Sequence, residues 1–118
     1  MAAPTFTLAR SRRSCSIIRA LLKLRWLAFL IIVLAGPASE EIFFRGFLFA
    51  GLLRRFGAPG AMVISAAVFA TAHLDVALLG PAFLAGIAFA YVYWRTGTLW
   101  AVIMAHTAQN AIAFAISG

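Results

Sequence analysis

The run WLAFLIIVLAG, Trp26 to Gly36, opens a series of apolar stretches broken only by short turns, and few folds can accept such a pattern. Of the 118 residues, 64% are hydrophobic and 11% are charged, and the mean hydropathy is +1.01. Soluble domains are closer to half apolar and a quarter charged. One domain suits this length. The apolar excess sets its outer surface against lipid, where a chain must satisfy its own backbone. The expected fold class is all-α, a polytopic transmembrane bundle of four to five helices.

The net charge is +7, and its placement matters more than its size. Arg10, Arg12, Arg13, Arg19, Lys23 and Arg25 precede the first long apolar run. Basic residues beside a membrane segment contact anionic headgroups. The aromatics lie inside apolar runs rather than on a basic face, which argues against nucleic acid as a partner. Cys15 has no second cysteine to pair with. An incidental surface thiol describes it better than a palmitoylation site does.

Residues 1 to 16 show no periodicity and read as a mobile tail. Residues 1 to 25 together form a basic tail and juxtamembrane segment ahead of a membrane domain at 26 to 118. The run from Trp26 cannot cross ~30 Å of lipid alone, since about 20 residues are needed. It crosses if its helix begins near Ile17 and the Lys and Arg side chains snorkel outward. The same basic-then-apolar order, with small residues near Ala35, also fits a secretory signal.

Gly36-Pro37 is expected to break the run, because Pro favours the first turn of a new helix. A second helix is then expected from Pro37 to about Arg55, followed by a turn at FGAPG, residues 56 to 60. A third should cover Ala61 to Leu74, a fourth Leu79 or Pro81 to Trp94, and a fifth Thr98 to Ile116. Gly46 with Ala50, and Ala82 with Gly86 and Ala90, form small-residue stripes suited to close helix packing. Trp26, Trp94 and Trp100 fall near expected helix ends, as interface anchors. If each helix crosses once from a cytoplasmic N-terminus, the basic tail, Arg54, Arg55 and Arg95 share one face and Asp75 lies on the other. Arg45 alone among the basic residues breaks that positive-inside arrangement.

Within the expected helices the polar residues are few: Glu40, Glu41, Arg45, His73, His106, Gln109, Asn110 and some hydroxyls. Ionisable groups inside a membrane are costly and point to function. Counting ~1.5 Å per residue, Glu40, His73, His106 and Asn110 can share one layer. Glu41 and Arg45 stand at i and i+4 with the acid first, the favourable order, and each satisfies the other's charge when buried. Glu40 is rotated ~100° from Glu41 and can face a cavity. His106 and Asn110 share a helix face, as do Phe69 and His73, so Phe69 can wall the site. Phe43, Phe44 and Phe47 are expected to keep it dry.

Glu40 with two histidines can activate a water as general base, directly or through a metal. Asn110 and one histidine can stabilise an oxyanion. The combination fits peptide-bond hydrolysis within the membrane. Ser39 is expected to cap a helix start, and Ser65 has no base in reach, which sets aside serine-protease chemistry.

These residues carry a family resemblance. EEIFFR resembles the motif EExxxR, FATAH resembles FxxxH, and HTAQN resembles HxxxN. In that order they are similar to the motifs of the CAAX prenyl protease type II family. Its bacterial members are the CPBP or Abi intramembrane proteases, some of them described as bacteriocin immunity proteins. TGTLWAVIMAH also resembles that family's run before its last histidine, and the resemblance covers residues 37 to 117. It implies an all-helical membrane endopeptidase; the prenyl proteases in the family remove the C-terminal tripeptide from lipidated CAAX proteins. By motif, Glu40 would be the water-activating base, Glu41 and Arg45 would support it, and His73, His106 and Asn110 would complete the site.

The family's description as metalloproteases implies Zn2+ on Glu40, His73 and His106, whereas a glutamate-activated water serves without one. Two histidines and a glutamate make an acceptable zinc set, although not at HExxH spacing. The implied partners are the lipid bilayer and a membrane-associated protein or peptide substrate, and the implied location is multi-pass in a bacterial plasma membrane. Family members often carry more helices than this chain supplies. Two other functions fit the same residues: a non-catalytic immunity or scaffold protein of this fold, and a small proton- or metal-handling membrane protein.

Overall fold

A computed structural model describes residues 5–117, with side chains from residue 14 onward; residues 1–4 and the side chains of Arg10, Arg12 and Arg13 lie outside the described residues. Every described element is helical. Helix α1 (Thr5–Phe29) runs into a π-helical segment (Leu30–Ala35), then α2 (Gly36–Glu41), a second π segment (Ile42–Phe49) and α3 (Ala50–Ala72). The junction residues Phe29, Ala35, Gly36, Glu41, Ile42, Phe49 and Ala50 all hold right-handed helical dihedrals. The first interruption is Gly57 inside α3, at φ 68° and ψ 178°, a conformation open to glycine because it lacks a Cβ.

One continuous helix therefore runs from Thr5 to Phe56, ~78 Å by its rise, and it accounts for the molecule's 83 Å long axis. The expected break at Gly36-Pro37 does not occur, and the segment read as a mobile tail is helical from Thr5. The reason is local. A proline inside an α-helix lacks an N–H and crowds the carbonyl four residues back. A π turn opens the backbone just before it. The Gly36 N–H bonds to the Ile31 carbonyl, five residues back, and a Cβ on Gly36 would sit 3.1 Å from that oxygen. The wider turn lets Pro37 continue the helix, as π-bulges do elsewhere.

Continuity changes the charge arrangement. Arg19, Lys23 and Arg25 lie toward one end of this helix and Arg54 and Arg55 at the other, with ~43 Å of rise between Arg25 and Arg54. The basic residues thus do not gather on one face. Trp26 likewise lies within the long helix rather than at an end.

Beyond Gly57 the chain reverses, and the rest of α3, α4 (Leu79–Thr96) and α5 (Leu99–Ile116) pack back and forth against the glutamate-bearing helix. α3 ends at His73, after which Leu74 takes φ 53°, the left-handed position usually given to glycine. Asp75 then caps a 3-10 turn, Val76–Leu78, its Oδ1 accepting from the Ala77 N–H at 2.9 Å. Gly97, at φ 66°, ends α4, and the Thr98 hydroxyl accepts from the Trp100 N–H to start α5.

Two buried clusters join these helices: Phe44, Phe69, Ala70 and Ala82, and, nearer the Gly57 turn, Phe49, Ala61 and Ala90. The stripe Ala82, Gly86, Ala90 is the packing face of α4. A Cβ on Gly86 would lie 2.9 Å from the Ala66 Cα, so only glycine lets the two backbones meet. Val76–Thr96 and Leu99–Ile116 are long and apolar enough to cross a membrane. Leu84, Met104 and Ile112 point outward from them, as lipid-facing residues do.

Candidate active site

The site forms where the glutamate-bearing helix meets α4 and α5. Glu41 and Arg45 are both fully buried. The Arg45 Nη1 lies 3.0 Å from Glu41 Oε2 and donates to Oε1 at 3.2 Å. Its Nη2 donates to the Gly86 carbonyl of α4 at 3.0 Å. Three rings enclose the guanidinium: its centre lies 4.7 Å from the Phe69 centroid, 5.5 Å from Phe89 and 5.9 Å from Phe44. Such rings attract a desolvated cation, which compensates in part for Arg45 Nε, a buried donor with no acceptor.

The same Glu41 reaches across to α5. His106, 4% exposed, places Nδ1 2.7 Å from Glu41 Oε1. A carboxylate held by arginine accepts, so Nδ1–H donates and the tautomer is set by that partner. The other ring nitrogen, Nε2, faces Glu40 Oε2 at 3.9 Å. With the ring neutral and Glu40 ionised both are acceptors, and at this separation no hydrogen bond joins them. Glu40 Oε2 is itself buried without a partner, while the side chain as a whole remains 38% exposed. The two glutamates therefore flank one imidazole, Glu41 bonded on one side and Glu40 open on the other.

Phe69 and Phe89 hold the ring in place. Phe89 stacks on His106 with centroids 4.8 Å apart, and Phe69 meets it edge-on at 5.8 Å. Phe69 also meets His73 at 4.8 Å, so it separates the two histidines as their common wall. Both histidines line a cavity of about 240 Å³ with Pro81, Phe89, Gln109 and Asn110. His73 Nδ1 lies 2.9 Å from the Phe69 carbonyl. That oxygen only accepts, so Nδ1 carries the proton and Nε2 is left free.

The structure thus brings Glu40, Glu41, Arg45 and His106 together and places His73 and Asn110 on the adjoining cavity wall. Asn110 is otherwise engaged than expected: its Nδ2 donates to the Ile32 carbonyl at 2.9 Å. Glu40, His73 and His106 do not close into a ligand set, for among the described residues no three His, Cys, Asp or Glu side chains could hold a metal ion. Phe44 is buried over Arg45, but Phe43 and Phe47 face outward and do not wall the pocket. Ser39 caps no helix start; its hydroxyl donates to the Ala35 and Gly36 carbonyls within the continuous helix. Ser65 donates to the Met62 carbonyl.

Sequence reasoning missed Phe89, the Gly86 carbonyl and the Ile32 carbonyl. The small-residue stripe signalled Gly86 as a packing position, and a close backbone approach is also what exposes a carbonyl to Arg45. Nothing in the local sequence marks Phe89 among eleven phenylalanines.

A family model for type II CAAX prenyl endopeptidase Rce1-like proteins matches residues 22–112. A Bacillus subtilis (strain 168) protein named "Putative membrane peptidase YdiL" is 35% identical over 77 residues, which cover 65% of this chain and 32% of that protein. The chain spans about a third of the length of that curated relative. No solved structure matches.

Proposed function

The chain belongs to the Rce1-like family of type II CAAX prenyl endopeptidases, and from that premise we propose that it hydrolyses peptide bonds of membrane-associated substrates with a water activated by Glu40. The observation that carries the reading is the pair of acceptors, Glu40 Oε2 and His106 Nε2, facing each other at 3.9 Å without a bond. Polar atoms at such a separation suit a bridging water. A water there donates one O–H to each, leaving a lone pair for a carbonyl carbon. As the oxygen attacks, Glu40 takes the proton and later passes it to the leaving amine.

Glu41 and Arg45 act through His106. Their buried pair keeps the Nδ1–H tautomer, so Nε2 remains an acceptor turned toward the water. His73 has the complementary duty. Its neutral ring only accepts at Nε2, whereas the imidazolium donates from Nε2 to the tetrahedral oxygen while Nδ1–H stays on Phe69. The hydrogen bond so formed is the oxyanion-stabilising contact. The apolar cavity wall of Phe69, Phe89 and Pro81 excludes bulk water from that step.

Prenylated CAAX-like sequences are the substrates the family description favours, and a multi-pass bundle in a bacterial plasma membrane is the setting. Zn2+ is the alternative activator. It would require His73 Nε2 to move onto the Glu40–His106 pair, so metal stoichiometry and chelation distinguish the two routes. The immunity or scaffold function of this fold makes the opposite prediction from both, since it survives loss of Glu40.

The test is cleavage of a prenylated CAAX peptide by the full chain in detergent, with Glu40→Gln alongside. Loss of a general base lowers turnover by roughly 10²–10⁴. Cleavage at the wild-type rate by Glu40→Gln would overturn the mechanism.

A further inference from the structure

The Asn110 side chain bonds to a carbonyl that Pro37 leaves without a donor. In an α-helix the Ile32 carbonyl accepts from the N–H of residue 36, and in a π turn from that of residue 37. The Gly36 N–H is already committed to Ile31, and residue 37 is proline, which has none. Neither helical donor is available to Ile32. Asn110 Nδ2, seventy-eight positions along the chain, donates to it at 2.9 Å. Membrane helices tolerate proline where a neighbouring helix satisfies the freed backbone group.

We propose that Asn110 is a positioning residue: its bond to the Ile32 carbonyl pins α5 to the glutamate-bearing helix and so holds His106 between Glu40 and Glu41. His106 and Asn110 stand one turn apart on α5, and both reach the same long helix, His106 at Glu41 and Asn110 at Ile32. Two anchors a turn apart fix the rotation of α5 about its axis, whereas one would leave it free to roll. The choice of donor also follows. Asn offers a neutral N–H without bringing a charge to a half-buried position. The proposal rests on this bond and on Pro37, independently of the peptidase reading.

The experiment uses the full chain in detergent micelles and reads structure rather than turnover. Asn110→Ala is made alone and with Pro37→Ala, which supplies an N–H at position 37. Amide hydrogen exchange is followed at residues 30–36, and the ¹⁵N shifts of the His106 ring report its tautomer. Alone, Asn110→Ala should speed exchange in that segment about tenfold, the worth of one hydrogen bond, and blur the single Nδ1–H signature of His106. With Pro37→Ala present, the same change should alter exchange by less than about twofold, because the backbone now supplies the donor. If Asn110→Ala alone does not fold, a folded double variant supports the proposal equally. Equal acceleration in both backgrounds, no acceleration at all, or failure of both variants to fold overturns it. A bystander that merely packs would leave the His106 signature unchanged, and that result also counts against positioning.

Discussion

Glu40 and Glu41 are neighbours in the chain and belong to opposite kinds of environment. Glu41 lies in a closed floor, fully buried with Arg45, His106 and the Gly86 carbonyl around it. Glu40, 38% exposed, stands at the edge of that floor across from His106, and His73, Gln109 and Asn110 line the rim of the neighbouring cavity. In the floor nearly every charge has a counter-charge or a hydrogen bond, so its removal costs stability. Outside the floor, Glu40 Oε2 is buried without a partner. One helical step of ~100° separates a carboxylate held by Arg45 and His106 from one that stands at the edge of that floor.

The comparison breaks first at Arg45. Arg45→Met leaves the Glu41 carboxylate buried with His106 alone, and uncompensated buried charge costs roughly 3–5 kcal/mol. Equilibrium unfolding in detergent should show it; a loss under about 1 kcal/mol would mean the floor is no more structural than the rim. Gly86→Ala comes next. Its Cβ would meet the Ala66 backbone at 2.9 Å, and forcing α4 away from α3 should cost about 1–3 kcal/mol while lengthening the Arg45 bond to residue 86.

Smaller changes sharpen the rim. Leu74 sits at φ 53° with its side chain 93% exposed, so Leu74→Gly should relieve left-handed strain and raise stability by about 1 kcal/mol. Unchanged or lower stability would show that the turn after His73 is held by the Leu74 side chain instead. Smallest of all, Glu40→Gln should shift stability by no more than ~0.5 kcal/mol, as for other residues outside the core. A large shift would place Glu40 in the floor and remove the distinction.

Much of this was legible in advance where the relation was local. The Glu41–Arg45 pair, the His73–Phe69 contact and the helices at 79–96 and 99–116 follow from i, i+4 spacing and from the Gly and Thr signals at 97 and 98. The Gly36-Pro37 break was misread because the usual rule assumes an α-helical turn before proline. A π turn changes the hydrogen-bond register and removes the clash. That same register left the Ile32 carbonyl open, and no local pattern indicates that Asn110 would answer it.

From residue types and periodicity alone followed an all-helical chain built for lipid, a buried acid–base pair on one helix, and a second acid turned away from it. These are properties of neighbours, governed by 3.6-residue geometry and by the cost of charge in an apolar medium. Which nitrogen of His106 meets Glu41, which meets Glu40, and which backbone group holds Asn110 depended on how three helices rotate against one another. Their rotation is set by the Gly86–Ala66 contact and by two π segments whose extra residue per turn shifts the phase of everything after them. Cross-helix distances of a few ångströms are the sum of such phase shifts, and they emerge only when the helices are packed together.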